Sequence, residues 1–334
     1  MREGTKLRRM PINFLYQQGG MGDYIAWSCA LQWLVKNAPW VDGRVWAPEY
    51  FIEFARYLFD DAPGWKVYLI DDFGKFAEFK SLIRAPSDQQ PQLINAVGAS
   101  LLNLGFMYFA NLEAAPEGVY YPELKLHLGH LPRELKELNG QYAVFTPGGT
   151  THARLLRGRH INPLIRHAKS LGLTPVILGK HQLADIHKSY FADDLELQGA
   201  IDLREKTTLF QAAAAMKYAK YTFGYDNGLI HLAACTDATI IAGYNMEHPD
   251  RRRPVRRQGK WAEVTLTQDE LSCIHCEKNI KLVCYHNFKN CFYEAQDKAE
   301  AEAKGEIYDT PKCTDILFSN DAKRFKDAIE RLIT

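Results

Sequence analysis

The chain lacks the features that mark several classes of protein. None of its 334 residues falls in an apolar run long enough to cross a bilayer. Its opening stretch, MREGTKLRRMPINFLYQ, has no apolar core of the signal-peptide kind. Charge of one sign is not in excess: 41 Lys and Arg stand against 40 Asp and Glu, a net of +1. The composition therefore carries no general electrostatic pull toward nucleic acid or a membrane. Seven cysteines, an odd number in a chain this long, do not suggest a secreted disulfide scaffold. The cytoplasm is the expected compartment. Two further absences matter: the first glycine turn does not follow G-x-G-x-x-G, and no sequence repeat relates the two halves.

What is present is the composition of a globular protein, 46% hydrophobic and 24% charged, with a length that suggests about two domains. Strand-like apolar runs alternate with helix-like segments along most of it. Residues 12–18 suit a buried first strand, followed by a glycine turn and a helix that Asn37-Ala38-Pro39 ends. Val45–Ala47 and Trp65–Ile70 read as strands with the helix Phe51–Phe59 between them. Gln92–Phe109 reads as a covering helix, Pro116–Pro122 as a loop and Leu131–Asn139 as a polar helix. The pattern then restarts. Strands are expected at Tyr142–Thr146, Thr174–Leu178, Tyr221–Gly224, Thr239–Gly243 and Trp261–Thr267, and helices at Ile161–Leu171, His181–Phe191 and Leu209–Ala219, the last preceded by Asp202–Leu203. A further helix runs from Gly228 through Cys235, and Asp321–Ile333 closes the chain as an amphipathic helix. This predicts two Rossmann-like, doubly wound α/β domains facing across a cleft, 1–140 and 141–318, with a closing helix over 319–334.

Three turns at expected strand ends concentrate the chemistry: Pro147-Gly148-Gly149-Thr150-Thr151, Asp202-Leu203 with Lys206-Thr207-Thr208-Leu209, and Asp226-Asn227-Gly228. In open α/β sheets ligands collect at the carboxyl ends of strands, where backbone N–H groups favour anions. Each turn alone is a common helix start, and Asp23 alone reads as a helix N-cap. His231 alone reads more readily as a core histidine.

Taken together and in order, Gly22-Asp23, Pro147–Thr150, Asp202–Leu209 and Asp226-Asn227-Gly228-Leu229-Ile230-His231-Leu232-Ala233 resemble the lipopolysaccharide heptosyltransferases, glycosyltransferases of the GT-B fold. The family pattern reads G-D, P-G-x-x, D-L-x-G-K-T-S-L and D-S-G-x-x-H-L-A. The resemblance implies an inverting transfer of a sugar, a heptose from ADP-heptose, to a hydroxyl on a glycan or protein. It makes Asp23 the general base that deprotonates the acceptor. It assigns the donor to Gly22, Gly149, Thr150, Thr151, Arg157, Lys206, Asp226, Asn227, Gly228 and His231. The hydroxyls of Thr150 and Thr151, the backbone N–H groups of Asn227 and Gly228 and a nearby cation would stabilise the leaving diphosphate without a catalytic divalent metal. For that cation the family's lysine is replaced by Arg154, Arg157 or Arg159, of which Arg157 is preferred. Asn227 also departs from the family's serine.

Five of the seven cysteines fall within Cys273–Cys313. Cys273-x-x-Cys276 supplies one knuckle, and two of Cys284, Cys291 and Cys313 complete four thiolates around structural Fe or Zn. Cys291 and Cys313 are preferred, with Cys284 spare and His275 and His286 as bystanders. The spacing is similar to the cysteine finger of bacterial autotransporter heptosyltransferases, relatives that glycosylate protein and bind iron there. Arg251–Arg257, RRRPVRR, reads as a solvated loop, an anionic-acceptor contact or a nucleic-acid patch. DNA as the acceptor, a nucleotide-sugar epimerase and a non-enzymatic nucleic-acid-binding protein remain the alternatives, and a homo-oligomer stays open.

Overall fold

The computed structural model describes residues 9–16, 20–75, 82–84, 100–149, 154, 156–180, 194–272, 274–275, 303 and 312–334. The chain divides into two compact units, Met1–Pro122 and Glu123–Thr334. Residues 123–140 thus fall in the second unit, where the Leu124 N–H donates to the Cys235 carbonyl and the Tyr218 hydroxyl to the Leu126 carbonyl.

The first unit carries a parallel sheet of β1 (Met10–Leu15), β2 (Val41–Ala47), β3 (Lys66–Leu69) and β4 (Leu82–Arg84), in the order β3-β2-β1-β4. Its helices include α1 (Met21–Asn37), α2 (Glu49–Phe59) and α3 (Leu101–Gly105), the last continuing as a π-helical turn over Phe106–Ala110. Strand β4 is new relative to the sequence reading. Three residues inside the polar run KSLIRAPS present no period from which a strand can be recognised. The helix expected over Gln92–Phe109 begins, among the described residues, at Leu101, capped by the Ser100 hydroxyl. Gly105 lets α3 lie close on α1, since a Cβ there would come within 2.8 Å of the Ala26 carbonyl oxygen.

The second unit carries six parallel strands in the order β10-β9-β8-β5-β6-β7. They are β5 (Tyr142–Thr146), β6 (Thr174–Ile177), β7 (Ile201–Asp202), β8 (Tyr221–Tyr225), β9 (Ile240–Gly243) and β10 (Trp261–Val264). Counted within the unit this is the 3-2-1-4-5-6 order of the dinucleotide-binding folds, and β3-β2-β1-β4 is the matching part in the first unit. The two faces of the second sheet are covered by different helices. Ala143, Phe145, Tyr221 and Phe223 pack with Ile161 and Leu164 of α4 (Gly158–Ser170) and Phe325 and Ile329 of α9 (Ser319–Ile333). Tyr142, one residue out of phase, instead donates its hydroxyl to the Ala215 carbonyl of α5 (Leu209–Tyr218). The alternation is that of strands buried on both sides.

The polar helix expected over Leu131–Asn139 is a 3-10 helix, Arg133–Leu138, and the helix after β8 is only α6 (Gly228–Ala233), its end turning through Cys235. The helix expected at His181–Phe191 lies outside the described residues. Short α7 (Pro249–Arg252) and α8 (Lys312–Leu317) complete the unit. No helix among the described residues is long and apolar enough to cross a membrane.

Gly224, next to last in β8, is packed so closely that a Cβ would lie 2.4 Å from Ile230 of α6 and from the Thr146 hydroxyl of β5. Overpacking of this kind costs about 1–3 kcal/mol. Gly224→Ala is therefore expected to lower the unfolding free energy by that amount, seen in a urea titration as a lower midpoint with the slope unchanged.

Candidate functional site

The order of each sheet singles out one place. In a doubly wound sheet the crevice opens where adjacent strands send their following loops to opposite faces, at the carboxyl ends. In the second unit that is the pair β5 and β8, and the loops concerned are Pro147–Gly149 and Asp226–Gly228. In the first unit the carboxyl end of β1 leads to α1 with Gly22 and Asp23.

Asn227 joins the two loops of the second unit. Its carbonyl oxygen accepts from the N–H groups of Leu229 (3.0 Å) and Ile230 (3.2 Å), capping α6. Its amide nitrogen donates to the carbonyls of Thr146 (2.8 Å) and Gly148 (2.9 Å) and to the Thr146 hydroxyl (3.2 Å). A serine, as in the heptosyltransferase pattern, can cap a helix but has no amide to span the gap. The expected N–H groups at Asn227 and Gly228 thus stand on a turn that is fixed from both sides. Gly149 is buried, and a Cβ on it would lie 2.5 Å from the Arg154 carbonyl oxygen, so the loop folds over this residue because it is glycine. Thr150 and Thr151 lie outside the described residues.

Asp226 is 3% exposed, and its N–H donates to the Gly243 carbonyl at the end of β9. Arg154 reaches it from the β5 loop, with Nη1 3.3 Å from the Asp226 carbonyl oxygen and 3.4 Å from its Oδ2. The cation brought to this turn is therefore Arg154. Arg157 is the N-cap residue of α4, its N–H donating to His160 Nδ1 at 3.1 Å, and Arg159 pairs with Asp315. Order along the chain does not reveal which of three arginines a tight turn points inward. Nearby, burial pushes the Tyr244 phenol well above its ordinary range, and the Asp226 charge adds to it. His231 is buried on α6, one turn from Asn227.

The third motif also sits at a strand end, after β7. Asp202 is held by a bidentate pair with Arg204, at 2.9 and 2.8 Å, and Arg204 is only 7% exposed. Lys206 is exposed and folds back, Nζ donating to the Asp202 carbonyl at 2.9 Å. Thr208 is the N-cap of α5 in a reciprocal capping box with Gln211. Arg204 was not singled out by the sequence, although its place between Asp202 and Lys206 is the available signal.

In the first unit Gly22 is buried in the first turn of α1, and Asp23 is half-buried at its third position. The N-cap is Gly20, not Asp23; the Asp23 Oδ2 accepts from the Gly20 N–H at 2.7 Å. The carboxylate thus stands at the expected helix end but at the third position and not the cap, since acids at both positions give the same composition signal.

Of the cysteine finger only Cys313 lies among the described residues; Cys273, Cys276, Cys284 and Cys291 do not. Cys313 is half-buried on α8, and its Sγ accepts from the Asn245 amide at 3.3 Å. The backbone carbonyl of Asn245 accepts from the His275 N–H at 3.0 Å. His275 lies between Cys273 and Cys276, so one residue of the loop after β9 holds both arms of the expected finger. No group of metal-ligating side chains is present among the described residues.

In the arginine-rich stretch Arg251, Arg252 and Arg256 are partly buried, and Arg253 and Arg257 are exposed. Arg251 and Arg252 both pair with Glu247, which is 3% exposed, and Arg253 pairs with Glu263 at 3.1 Å. Arg256 donates to the carbonyls of Thr236 (2.8 Å) and Ala238 (2.9 Å), and burial lowers its pKa to about 10.

Comparison with solved structures agrees with this architecture. The iron-containing dodecameric glycosyltransferase TibC from enterotoxigenic E. coli H10407 matches 99% of the chain and 78% of its own, with a TM-score of 0.67 at 16% identity. The E. coli ADP-heptose LPS heptosyltransferase II matches 77% of the chain and 91% of its own, with a TM-score of 0.58 at 14% identity. A glycosyltransferase family 9 protein from Veillonella parvula DSM 2008 matches 90% and 98%, with a TM-score of 0.56 at 15% identity. The fold is therefore α/β with two parallel sheets, of the GT-B heptosyltransferase kind. The model of glycosyltransferase family 9 (heptosyltransferase) matches residues 93–283, more than half of the chain, and the protein belongs to that family. It is a glycosyltransferase that uses a nucleotide-sugar donor. No curated protein sequence matches it.

Replacing Asn227 separates its two duties. Asn227→Ala loses the cap and leaves the Thr146 and Gly148 carbonyls without their donor, a loss of about 1–3 kcal/mol. Asn227→Ser retains the cap and loses only the bridge. The expected order of melting temperatures is wild type, then Ser, then Ala.

Proposed function

We propose that the protein transfers a heptose from ADP-heptose to a hydroxyl of a glycan or protein acceptor, with inversion at the anomeric carbon. The observation that carries the reading is the fixed turn at the β5–β8 crevice, where Asn227 locks Asp226-Asn227-Gly228 to the Gly148 loop and Arg154 supplies a cation. A preorganised cation and dipoles are what a departing nucleotide diphosphate needs. TibC, of the same fold, has been solved with ADP-D-β-D-heptose.

In this reading the second unit, with Gly149, Thr150, Thr151, Lys206, Asp226, Asn227, Gly228 and His231, holds the donor, and the first unit supplies the acceptor side. Arg154 or Arg157 meets the diphosphate. Asp23 takes the proton of the acceptor hydroxyl as its oxygen attacks the anomeric carbon. The bond from that carbon to the diphosphate oxygen breaks, and the electron pair leaves with the nucleotide. A general base of this kind contributes about 10²–10⁴-fold.

A structural Fe or Zn held by Cys273, Cys276, Cys313 and either Cys291 or Cys284 is part of the same proposal. Asn245 supports it by bonding His275, which lies between Cys273 and Cys276 in sequence, and by donating its amide to the Cys313 sulfur, as the groups behind a thiolate ligand do. The metal would cross-link the finger and take no part in transfer.

A thermal-shift screen of ADP- and UDP-sugars tests the donor, since a ligand at a hundred times its Kd stabilises the native state by about 2.7 kcal/mol. ADP-heptose is expected to raise the melting temperature more than UDP-sugars do. Asp23→Ala should abolish transfer and leave that shift intact, and full transfer by the variant would remove Asp23 from the base role. For the finger, elemental analysis of protein purified without added ions should find one Fe or Zn per chain. Substoichiometric amounts of both would rule out the four-cysteine site.

A further inference from the structure

The first unit carries a feature that the family pattern does not describe. Strands β1 and β2 are parallel neighbours, so the helices that follow them, α1 and α2, begin at the same end of the sheet. The first turn of α1 carries Asp23 and Tyr24, and the first turn of α2 carries Tyr50. The rings of Tyr24 and Tyr50 stack with centroids 6.1 Å apart and planes 27° from parallel. Tyr24 is 3% exposed, whereas Tyr50 leaves 48% of its surface to solvent. Both phenols are pushed up, chiefly by burial, and the charge of Asp23, the residue before Tyr24 in the first turn of α1, adds to each.

The stack does not end at Tyr24. Behind it lies Tyr16, ring to ring at 5.0 Å and 9° from parallel, with its hydroxyl 2.8 Å from that of Ser28. Phe51 closes one side of Tyr24 at 5.4 Å and Trp27 another at 5.6 Å. Single exposed aromatics are ordinary on a protein surface. Tyr50 is exposed at 48% and at the same time stacked on a buried aromatic core.

We propose that Tyr50, backed by Tyr24, is an acceptor-binding platform on which a pyranose ring lies with one of its hydroxyls toward Asp23. A sugar ring offers a face of C–H bonds and a rim of hydroxyls. An aromatic face accepts the first and a carboxylate the second, the mixture of apolar wall and few polar groups that small-molecule sites use. A rigid tyrosine loses little side-chain entropy in making the contact. A serine or threonine side chain in a peptide presents no flat C–H face, so the pair favours a glycan over a protein acceptor. The assignment rests on the reading of Asp23 as the base of the acceptor side.

Saturation-transfer NMR on the full chain in the presence of ADP tests it, with methyl glucoside, methyl mannoside and a serine-containing tripeptide as probes. The glycosides should receive saturation at their ring protons and the tripeptide should not. Tyr50→Ala should weaken glycoside binding roughly threefold to tenfold, the worth of one aromatic contact. Tyr50→Phe should bind as wild type does, and calorimetry should find ADP affinity unchanged in both. Unchanged glycoside binding by Tyr50→Ala, no saturation of any glycoside, or saturation of the tripeptide alone would each overturn the platform. Asp23→Ala keeps the two readings apart. If it retains full transfer while Tyr50→Ala loses glycoside binding, the base assignment fails and the platform stands.

Discussion

The second unit is organised around one side-chain amide. Strands β5 and β8 are hydrogen-bonded neighbours, yet the chain leaves them toward opposite faces of the sheet, to α4 and to α6. Backbone carbonyls at such a divergence have no ladder partner, and burying them unpaired would cost about 1–3 kcal/mol each. Asn227 resolves this with both ends of its amide, two acceptor bonds to α6 and donor bonds back to Thr146 and Gly148. The glycines around it follow from the same closeness. Gly224 admits Ile230 and the Thr146 hydroxyl, and Gly149 admits the Arg154 carbonyl. Remove the amide and the loops that flank the crevice lose their common anchor.

The arginine stretch shows where the members of a local charge run find their partners. Five arginines in seven residues suggest a surface for phosphate. In the structure two of them neutralise the buried Glu247, and Arg256 satisfies carbonyls of the segment between α6 and β9. An ion pair this buried repays its desolvation only when several bonds act at once, and here two guanidinium groups share one carboxylate. The near-neutral balance of the whole chain is consistent with such internal pairing.

Much of the architecture was legible because its signals were redundant. Tyr142–Thr146 and Tyr221–Tyr225 are apolar, bounded by turn residues and buried along their whole length, and the structure places strands there. The motifs were legible because each stands immediately after such a strand. What escaped the sequence depends on contacts distant along the chain. The three residues of β4 are a strand because β1 pairs with them. Arg154 rather than Arg157 reaches Asp226 because the loop closes on itself, the Leu156 N–H bonding the Pro147 carbonyl. Asp23 occupies the third helical position, where its carboxylate bonds back to Gly20, because α1 begins three residues earlier than a capping aspartate would require.

Asn245 draws the other distant parts of the second unit together. It follows β9 by two residues, at the carboxyl end of the sheet and next in line to the Asp226 turn, whose N–H is bonded to Gly243. Its carbonyl holds His275 and its amide holds Cys313 and the Thr314 hydroxyl, the latter at 3.0 Å. From α8 the connection continues, since Asp315 lies 2.8 Å from His160 Nε2, and His160 Nδ1 accepts from the Arg157 N–H at the start of α4. Burial opposes the charge of Asp315, but the bonds and charges of His160 and Arg159 outweigh it and hold the carboxyl low. A chain of short polar contacts thus runs from the strand end at β9, through the segment that bears Cys313, to the helix that follows the β5 loop. Whatever fixes Cys313 therefore also bears on the first turn of α4, the helix that follows the Gly149 loop.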